Sequence, residues 1–166
     1  MKLESQSIIQ DINDFLKNHG IMTLAVAVKD KPWVCTLYYG FDDYMSMYVV
    51  TDPNSRHGKI FNQNSQVSFN VFDSDQKITE AKTGVQGEGI ISQVKGLKAN
   101  FKALKLWHSA NPGIETKITI KDILKKITDT KIYRITPTYL KFFNKQLYGD
   151  REYGEVTLLV ERRNHV

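Results

Sequence analysis

The chain is poor in the residues that build disulfides, membrane spans and secretion signals. Its 166 residues include a single cysteine, Cys35, which cannot form a disulfide within the chain and therefore fits a reducing compartment. No run of about 18 apolar residues is present that could span a bilayer, and residues 1–10 lack a basic segment followed by a continuous apolar stretch. We therefore expect a cytoplasmic protein that is neither exported nor inserted into a membrane.

Local motifs for several enzyme classes are also missing. The four histidines are far apart, and none lies three or four residues from another histidine or the cysteine, so no local metal cluster is indicated. The chain has no nucleophile elbow and no Walker phosphate loop, and the glycines of residues 84–89 are in the wrong order for a dinucleotide fingerprint. These absences argue against zinc enzymes, serine hydrolases, P-loop proteins and Rossmann dehydrogenases. The histidines are His19, His57, His108 and His165.

The composition is that of an ordinary folded globule. Hydrophobic residues make up 41% of the chain and charged residues 25%, and no linker, repeat or low-complexity tract divides it, so we expect one domain over residues 1–166. Lysine and arginine total 23 against 18 acidic residues, a net charge of +5 without any long basic run. This balance favours an anionic ligand only weakly.

Hydrophobic periodicity predicts many short strands and few helices. Ser7 and Gln10 have capping-box spacing before an amphipathic helix that ends near residues 18–20. Further helices are predicted from Asp52 to Phe61, over 98–109 and over 120–127. Such a chain is typical of an antiparallel barrel with helices across its ends and flanks. The predicted strands are 22–28, 33–39, 45–51, 67–72, 83–94, 131–135, 139–143 and 155–160.

Residues 51–59, Thr-Asp-Pro-Asn-Ser-Arg-His-Gly-Lys, place cationic side chains where a strand passes into a helix. A helix start offers free N–H donors, Arg56 can bind two phosphate oxygens at once, and Ser55 and Lys59 fall one helical turn apart. The spacing therefore fits a phosphate site. It fits a capped, solvated surface helix equally well.

Three segments together resemble a known superfamily. Residues 33–42, Trp-Val-Cys-Thr-Leu-Tyr-Tyr-Gly-Phe-Asp, then 48–51, Tyr-Val-Val-Thr, then Ser-Arg-His at 55–57, are similar to the core of the pyridoxamine 5′-phosphate oxidase-like superfamily. The likeness covers roughly residues 5–145 and is greatest to small uncharacterised bacterial members that share the Gly-Val-Gln strand at 84–86. It implies a mainly β fold, a six-stranded antiparallel split β-barrel, and a homodimer that holds flavin mononucleotide (FMN) at its interface.

The resemblance also implies a set of cofactor contacts. Arg56 and His57, with Ser55 and Lys59 beside them, would hold the flavin phosphate, and Val50 and Thr51 would end a strand against the ribityl chain and ring. The strand over 34–39 would offer mainly backbone groups to the polar edge of the ring. Gln86 would replace a ring-contacting glutamine of the family. The expected cofactor-binding residues are Val34, Cys35, Thr36, Leu37, Tyr39, Val50, Thr51, Ser55, Arg56, His57, Lys59 and Gln86.

Departures from the oxidases shape the functional hypothesis. Val34 and Tyr39 stand where the oxidase strand has basic residues, and the tail over 157–166 lacks the family's tryptophan- and arginine-rich grip on substrate phosphate. Oxidation of pyridoxamine phosphate is therefore not expected. The first hypothesis is an FMN-dependent oxidoreductase acting on a small molecule, with NAD(P)H as a candidate reductant and no catalytic side chain identified. Tyr38, Tyr39, Trp107 and His108 are the candidates for substrate contact, although we expect Trp107 to pack in the core and His108 to face solvent.

The second hypothesis is a binding module without catalysis. It would use the same barrel for haem, a deazaflavin or an anionic partner such as nucleic acid. For nucleic acid, aromatic residues beside lysines would act as stacking platforms, although such a pattern is more typical of a core strand. Cys35 is interpreted as a core or cofactor-wall residue rather than a nucleophile. The candidate platform consists of Tyr139, Phe142, Phe143, Lys141 and Lys145.

Overall fold

The computed structural model describes residues 2–124 and 129–158, with side chains over 4–123 and 129–158. Seven antiparallel strands form one sheet in the order β3-β2-β1-β4-β5-β6-β7, and an additional pairing of β3 with β6 closes the first six into a barrel. The strands are β1 Ile21–Val28, β2 Lys31–Phe41, β3 Met47–Thr51, β4 Gln66–Phe72, β5 Thr83–Gln93, β6 Lys131–Asn144 and β7 Tyr153–Thr157. The helices are α1 Lys2–Leu16, α2 Arg56–Phe61, α3 Leu97–Ala110, α4 Ile120–Leu124 and α5 Lys145–Tyr148, followed by a 3₁₀ turn at Gly149–Arg151.

The predicted mainly β barrel is confirmed, with one strand more than the expected six. The extra strand, β7, pairs with the second half of β6, from Tyr139 to Phe143. The first half of β6 pairs on the same side with β3. Two separately predicted strands, 131–135 and 139–143, are therefore one continuous strand whose halves have different partners. Pro137 is accommodated because the register with β5 shifts at the bulge between Glu88 and Gly89.

The barrel is split because β2 and β3 pair over only three positions. Tyr39, Gly40 and Phe41 pair with β3, whereas residues 31–38 of β2 pair with β1 and, within the described parts of the chain, with no second strand. The β1–β2 hairpin turns through Lys29 and Asp30, whose φ angles of 49° and 60° match a type I′ turn. This two-residue turn fixes the pairing register of β1 and β2. The register determines which β2 residues direct their backbone groups toward the unpaired edge.

Apolar side chains fill the barrel in strict alternation. Met22, Leu24 and Val26 of β1 are buried, while the residues between them are partly exposed. The α1 residues Ile8, Ile12 and Leu16 cover one opening of the barrel. A second buried cluster, which includes Leu104, Trp107 and Ile132, lies between α3 and the outside of β3 and β6. This second cluster fixes α3 beside the split.

Several element boundaries differ from the predicted ones. The first helix begins at Lys2, so Ser7 lies inside it and does not cap it. The third strand begins at Met47 rather than Met45, because Met45 has a positive φ of 64° in the turn before it. The short helix α5 has no counterpart among the predicted helices. Residues 125–127 of the predicted fourth helix and 159–160 of the predicted last strand lie outside the described residues. No described helix is long and apolar enough to cross a membrane.

Candidate functional site at the open edge of the barrel

The unpaired edge of β2 presents free backbone groups. In a two-residue hairpin the flanking pair Val28 and Lys31 exchanges hydrogen bonds, and along an antiparallel ladder every second residue then turns its N–H and C=O away from the partner strand. On β2 the outward-directed groups therefore belong to residues 32, 34, 36 and 38. The Tyr38 carbonyl accepts a hydrogen bond from the Trp107 indole N–H at 3.1 Å. Val34 and Thr36 remain as the open donor and acceptor pair of this edge.

Helix α2 lies beside this edge and brings a cation to it. The guanidinium carbon of Arg56 lies 3.9 Å from the centre of the Trp33 ring, a cation–π contact between the helix and the first half of β2. Arg56 is exposed and forms no ion pair with any described residue. Its guanidinium therefore retains hydrogen-bonding capacity for an anionic group. The stack on Trp33 limits the positions that this long side chain adopts.

The loop before α2 is held by short hydrogen bonds. The Ser55 hydroxyl donates to the Asp52 carbonyl at 2.7 Å and accepts from the Gly58 N–H at 3.1 Å. Gly58 is required here, because a Cβ at this position would lie 2.5 Å from the same Asp52 carbonyl oxygen. The Ser55 hydroxyl is thus engaged as a helix cap, which agrees with the interpretation of this segment as a capped surface helix.

His57 joins the end of β3 to α2. Its Nε2 lies 2.6 Å from the Thr51 hydroxyl, and its ring is 6.0 Å from that of Phe61. Burial lowers the pKa of His57, against the opposing effect of the nearby Asp52 carboxylate. A neutral imidazole is therefore favoured in this position, so His57 orients the strand end rather than supplying a permanent positive charge.

The structure brings together some of the expected contacts but not all. Arg56 contacts Trp33, the neighbour of Val34 on β2, and His57 contacts Thr51, which follows Val50 at the end of β3. Lys59 is exposed one turn further along α2. Tyr39 does not join them, since its ring is 1% exposed and its hydroxyl donates to the Leu16 carbonyl at 3.4 Å. Leu37 also packs against the barrel core.

Gln86 lies elsewhere in the same chain. It is exposed on β5, opposite Asn70 of β4 and Lys141 of β6, and two strands separate it from β2. It lines a shallow depression of about 340 Å³ on the outer face of the sheet. This depression extends to Thr23 and Ala25 of β1, the cross-strand partners of Thr36 and Val34, but no residue of β2 lines it.

Cys35 is half-buried against the core, in agreement with the interpretation as a packing residue. Its thiol lies 3.8 Å from the Leu24 carbonyl oxygen. Burial raises the pKa of the thiol to about 11, so the reactive thiolate is scarce at neutral pH.

Helix α3 holds β2 from the other side. Asn111, which follows the helix, donates from Nδ2 to the Tyr39 carbonyl at 3.1 Å and to the Trp107 carbonyl at 2.8 Å. Trp107 is 5% exposed, so its expected core packing is confirmed. The expectation that His108 faces solvent is wrong, because it is half-buried with Nε2 2.8 Å from the Ile118 carbonyl oxygen. The chain after α3 folds back over this imidazole.

A cleft of about 600 Å³ opens where the end of α3 meets β2. Ile21, Tyr38, Trp107 and Ile114 contribute its apolar walls. Tyr38 is 59% exposed and lies two residues along β2 from Thr36, a separation of roughly 7 Å in an extended strand. The cleft is thus a neighbour of the open edge, and it contains two of the residues proposed for substrate contact.

The candidate nucleic-acid platform does not form a stacking surface. Phe142 is 1% exposed in the core. The Tyr139 hydroxyl donates to Glu155 at 2.7 Å, and the ring of Phe143 has the ammonium groups of Lys82 and Lys141 over it at 4.9 and 4.8 Å. The core interpretation is therefore confirmed for Phe142, whereas Tyr139 and Phe143 are partly exposed and contact charged side chains of the same chain.

Two residues of the site are not identifiable from the sequence. Local pattern indicates Trp33 only as part of a strand and Asn111 only as the end of a helix, yet they contact Arg56 and the β2 backbone respectively. Their partners lie 23 and 72 residues away in the chain. No local spacing signals contacts at such separations.

Solved structures with similar architecture identify the fold. A NimC/NimA family protein from Clostridium acetobutylicum aligns with a TM-score of 0.63 and 15% identity, covering 93% of this chain and 94% of that one. A candidate pyridoxamine 5′-phosphate oxidase from Listeria innocua aligns at 0.64 and 13% identity, over 82% and 98%. The chain has the pyridoxamine 5′-phosphate oxidase-like split-barrel fold. The haem storage protein HutZ from Vibrio cholerae shares the split barrel, with a TM-score of 0.62 and 16% identity over 78% and 89% of the two chains.

Curated relatives carry names that state no activity. A UPF0306 protein of Pasteurella multocida is 31% identical over 87 residues, which make up 52% of this chain and 58% of that protein. A UPF0306 protein of Photorhabdus laumondii is 28% identical over 90 residues, or 54% and 62% of the two chains. The chain thus matches less than two thirds of the length of these relatives. No protein-family profile matches it. The split-barrel neighbours include both oxidase-like and haem-binding proteins.

Proposed function

We propose that this protein binds FMN at the open edge of β2, in a homodimer, and uses it as an oxidoreductase on a small molecule. The observation that carries the proposal is the pair of open backbone positions at Val34 and Thr36 beside the uncommitted Arg56 guanidinium. Bound FMN would supply electron and hydride transfer, while the chain supplies binding and orientation.

The residues of the open edge fit the group chemically. The pyrimidine end of a flavin ring carries both N–H donors and carbonyl acceptors, which a strand edge with alternating C=O and N–H groups can pair with. The phosphate needs a cation, and Arg56 offers a planar group of N–H donors that suits its oxygens. Lys59 is exposed on the same short helix. The absence of basic side chains at Val34 and Tyr39 leaves Arg56 with a larger share of this task.

The surrounding residues would position these groups. Trp33 holds the guanidinium through their 3.9 Å stack, and the Thr51–His57 contact fixes the end of β3 against α2. The Trp107 indole satisfies the Tyr38 carbonyl and so ends the open part of the edge at Thr36. The half-buried Cys35 and Leu37 pack against the core behind this open edge. The raised pKa of the Cys35 thiol keeps it uncharged at neutral pH.

A second subunit is part of the proposal because large apolar side chains are exposed on the outer face of the sheet. Ile21 and Tyr38 form a cross-strand pair on this face, and Val34, Phe72 and Ile90 share it. These five side chains, here called the outer patch, are between 36% and 59% exposed. They stand among polar residues of the same face such as Thr36, Asn70 and Gln86. Pairing two outer patches around a two-fold axis would cover part of this surface and could bring Gln86 of one subunit near the β2 edge of the other.

The visible absorbance spectrum of the purified protein, before and after addition of FMN, tests the cofactor. We expect bound flavin in the wild type, a loss of most of it in Arg56→Ala with the fold retained, and wild-type binding in Arg151→Ala, which removes an exposed arginine far along the chain. Full flavin retention by Arg56→Ala would overturn the phosphate assignment. A haem Soret band with no flavin uptake would replace FMN by haem, a ligand that split-barrel neighbours such as HutZ are named for.

A further inference from the structure

The cleft between β2 and the end of α3 is unlike the rest of the surface in its charge. None of the nine residues that line it is charged, although lysine and arginine total 23 in the chain. The exposed lysines of α3, Lys98, Lys102 and Lys105, recur at intervals of four and three residues and line a different face of the helix from Trp107 and Ala110. The cleft is therefore an uncharged opening on a basic protein.

The walls of the cleft are mainly apolar, and their polar atoms, which include the Tyr38 hydroxyl and the Asn111 side-chain oxygen, are uncharged. Ile21, Tyr38, Ala110 and Ile114 supply hydrocarbon and ring surface, and Trp107 adds the edge of its indole. The Nδ2 of Asn111 is occupied by two backbone carbonyls, whereas its Oδ1 faces Gly20, another lining residue, at 3.7 Å from the position a Cβ would take there. This oxygen is an acceptor for a single ligand N–H or O–H.

These features select a class of ligand. Transfer of a phosphate or carboxylate into a site without a counter-charge is strongly disfavoured, because desolvation of the anion is not repaid by any partner. A flat apolar ring with one hydroxyl or amine-type donor loses little on entry and gains burial of its faces. We propose that the cleft binds a flat, uncharged small molecule that carries a hydrogen-bond donor, and that it discriminates against the anionic counterpart.

The cleft lies next to the edge at which we propose that FMN binds. Tyr38 lines it, and the open edge at Thr36 is the next outward-directed position on the same strand. That the bound molecule is the substrate of the flavin rests on the proposed function, whereas the binding preference itself rests on the cleft alone. This preference disfavours a phosphorylated substrate of the pyridoxamine phosphate type in the cleft.

The test uses a matched pair of probes, 2-naphthalenemethanol and 2-naphthoate, which share a ring system and differ in charge. The chain has two tryptophans, so the Trp33→Phe variant identifies the Trp107 indole signal in a ¹H–¹⁵N spectrum. We expect 2-naphthalenemethanol to shift that signal in the wild type. We expect 2-naphthoate to need a concentration at least about tenfold higher, which corresponds to about 1.4 kcal/mol.

A filled cleft provides the control. Ala110 is exposed at the end of α3 and lines the cleft, so Ala110→Trp should abolish the shift, whereas Ala81→Trp, in an exposed loop, should leave it unchanged. Equal response to both probes, or a full response in Ala110→Trp, would overturn the proposal. FMN uptake is recorded on the same samples. Selective probe binding without FMN uptake would support the cleft proposal and contradict the proposed function. FMN uptake without discrimination between the probes would support FMN binding and contradict the cleft proposal.

Discussion

At the scale of single residues, the site depends on side chains whose partners are already fixed by the fold. The Ser55 hydroxyl caps α2, the Asn111 amide holds two carbonyls and the Thr51 hydroxyl meets His57, so few polar groups remain free for a ligand. Arg56 is the exception, because its contact with Trp33 is a cation–π contact and no described residue forms an ion pair with it. A single cation therefore dominates the expected affinity for phosphate.

His57 makes a prediction for the pH dependence of stability. Its pKa is lowered in the folded state, so the unfolded chain binds more protons as pH falls below the ordinary histidine value of about 6.5. The contribution of neutral His57 is complete above that pH and is lost as pH falls through the lower folded value. We expect His57→Gln to flatten the decline in unfolding free energy between about pH 7 and 5, measured by urea denaturation without added flavin.

The matched control for this prediction is His19→Gln. His19 stacks on Phe15 at 3.9 Å and lies outside the contact between β3 and α2, so its replacement leaves the His57 environment intact. This variant should keep the wild-type decline. An unchanged decline in His57→Gln would show that burial of this imidazole does not couple folding to protons.

At the scale of elements, the placement of α3 on β2 depends on one glycine. A Cβ at Gly40 would lie 2.5 Å from the Leu106 carbonyl oxygen and 2.8 Å from the Trp107 Cα, both of them backbone atoms that cannot move aside alone. We expect Gly40→Ala to lower the free energy of unfolding by about 1–3 kcal/mol through overpacking. Because α3 carries Trp107 to the Tyr38 carbonyl, the same change should also shift the Trp107 indole signal.

Gly20→Ala is the control for Gly40→Ala. A Cβ at Gly20 would have its nearest atoms at 3.7 Å, an ordinary contact distance, so alanine should be neutral or stabilising by about 0.5 kcal/mol. Urea denaturation of the two variants measures the difference. Equal stability of both variants would contradict the proposed close approach of helix and strand.

The observed helices and strands show which features of the fold local sequence pattern could predict. Period-two alternation indicated where the strands lie, although not all of their bounds, and the Asp-Pro-Asn-Ser start of α2 was predicted because capping is a local property. Local pattern could not establish that 131–144 is one strand, since the break at Pro137 is accommodated by a bulge at Thr138, where the register with β5 shifts between Glu88 and Gly89. Nor could it place Arg56 against Trp33 or place two strands between Gln86 and β2, because these relations depend on the tertiary fold and the strand order.

At the scale of the whole molecule, the positive charge is concentrated in one segment of the chain. Residues 95–128 contain eight lysines and two acidic residues, Glu115 and Asp122, a local excess of six in a chain whose total is +5. The described part of this segment forms α3, the loop after it and α4. Ile21 and Tyr38 of the outer patch line the cleft together with Trp107 and Ala110, so the patch borders the end of α3. The exposed lysines of α3 lie on a different helix face from Trp107 and Ala110, so a contact through the patch does not require them.

The outer patch therefore predicts the oligomeric state. Val34, a member of this patch, is 58% exposed, and in a two-fold dimer formed through the patch an aspartate at this position would place a charge against apolar side chains. We expect the wild type to have the mass of a dimer by size-exclusion chromatography with light scattering, and Val34→Asp to shift it toward the monomer. Phe101→Asp, at an equally exposed position of 59% on α3, should remain dimeric. A monomeric wild type, or equal dissociation of the two variants, would remove the outer patch as the interface, and with it the route by which Gln86 of one subunit reaches the β2 edge of the other.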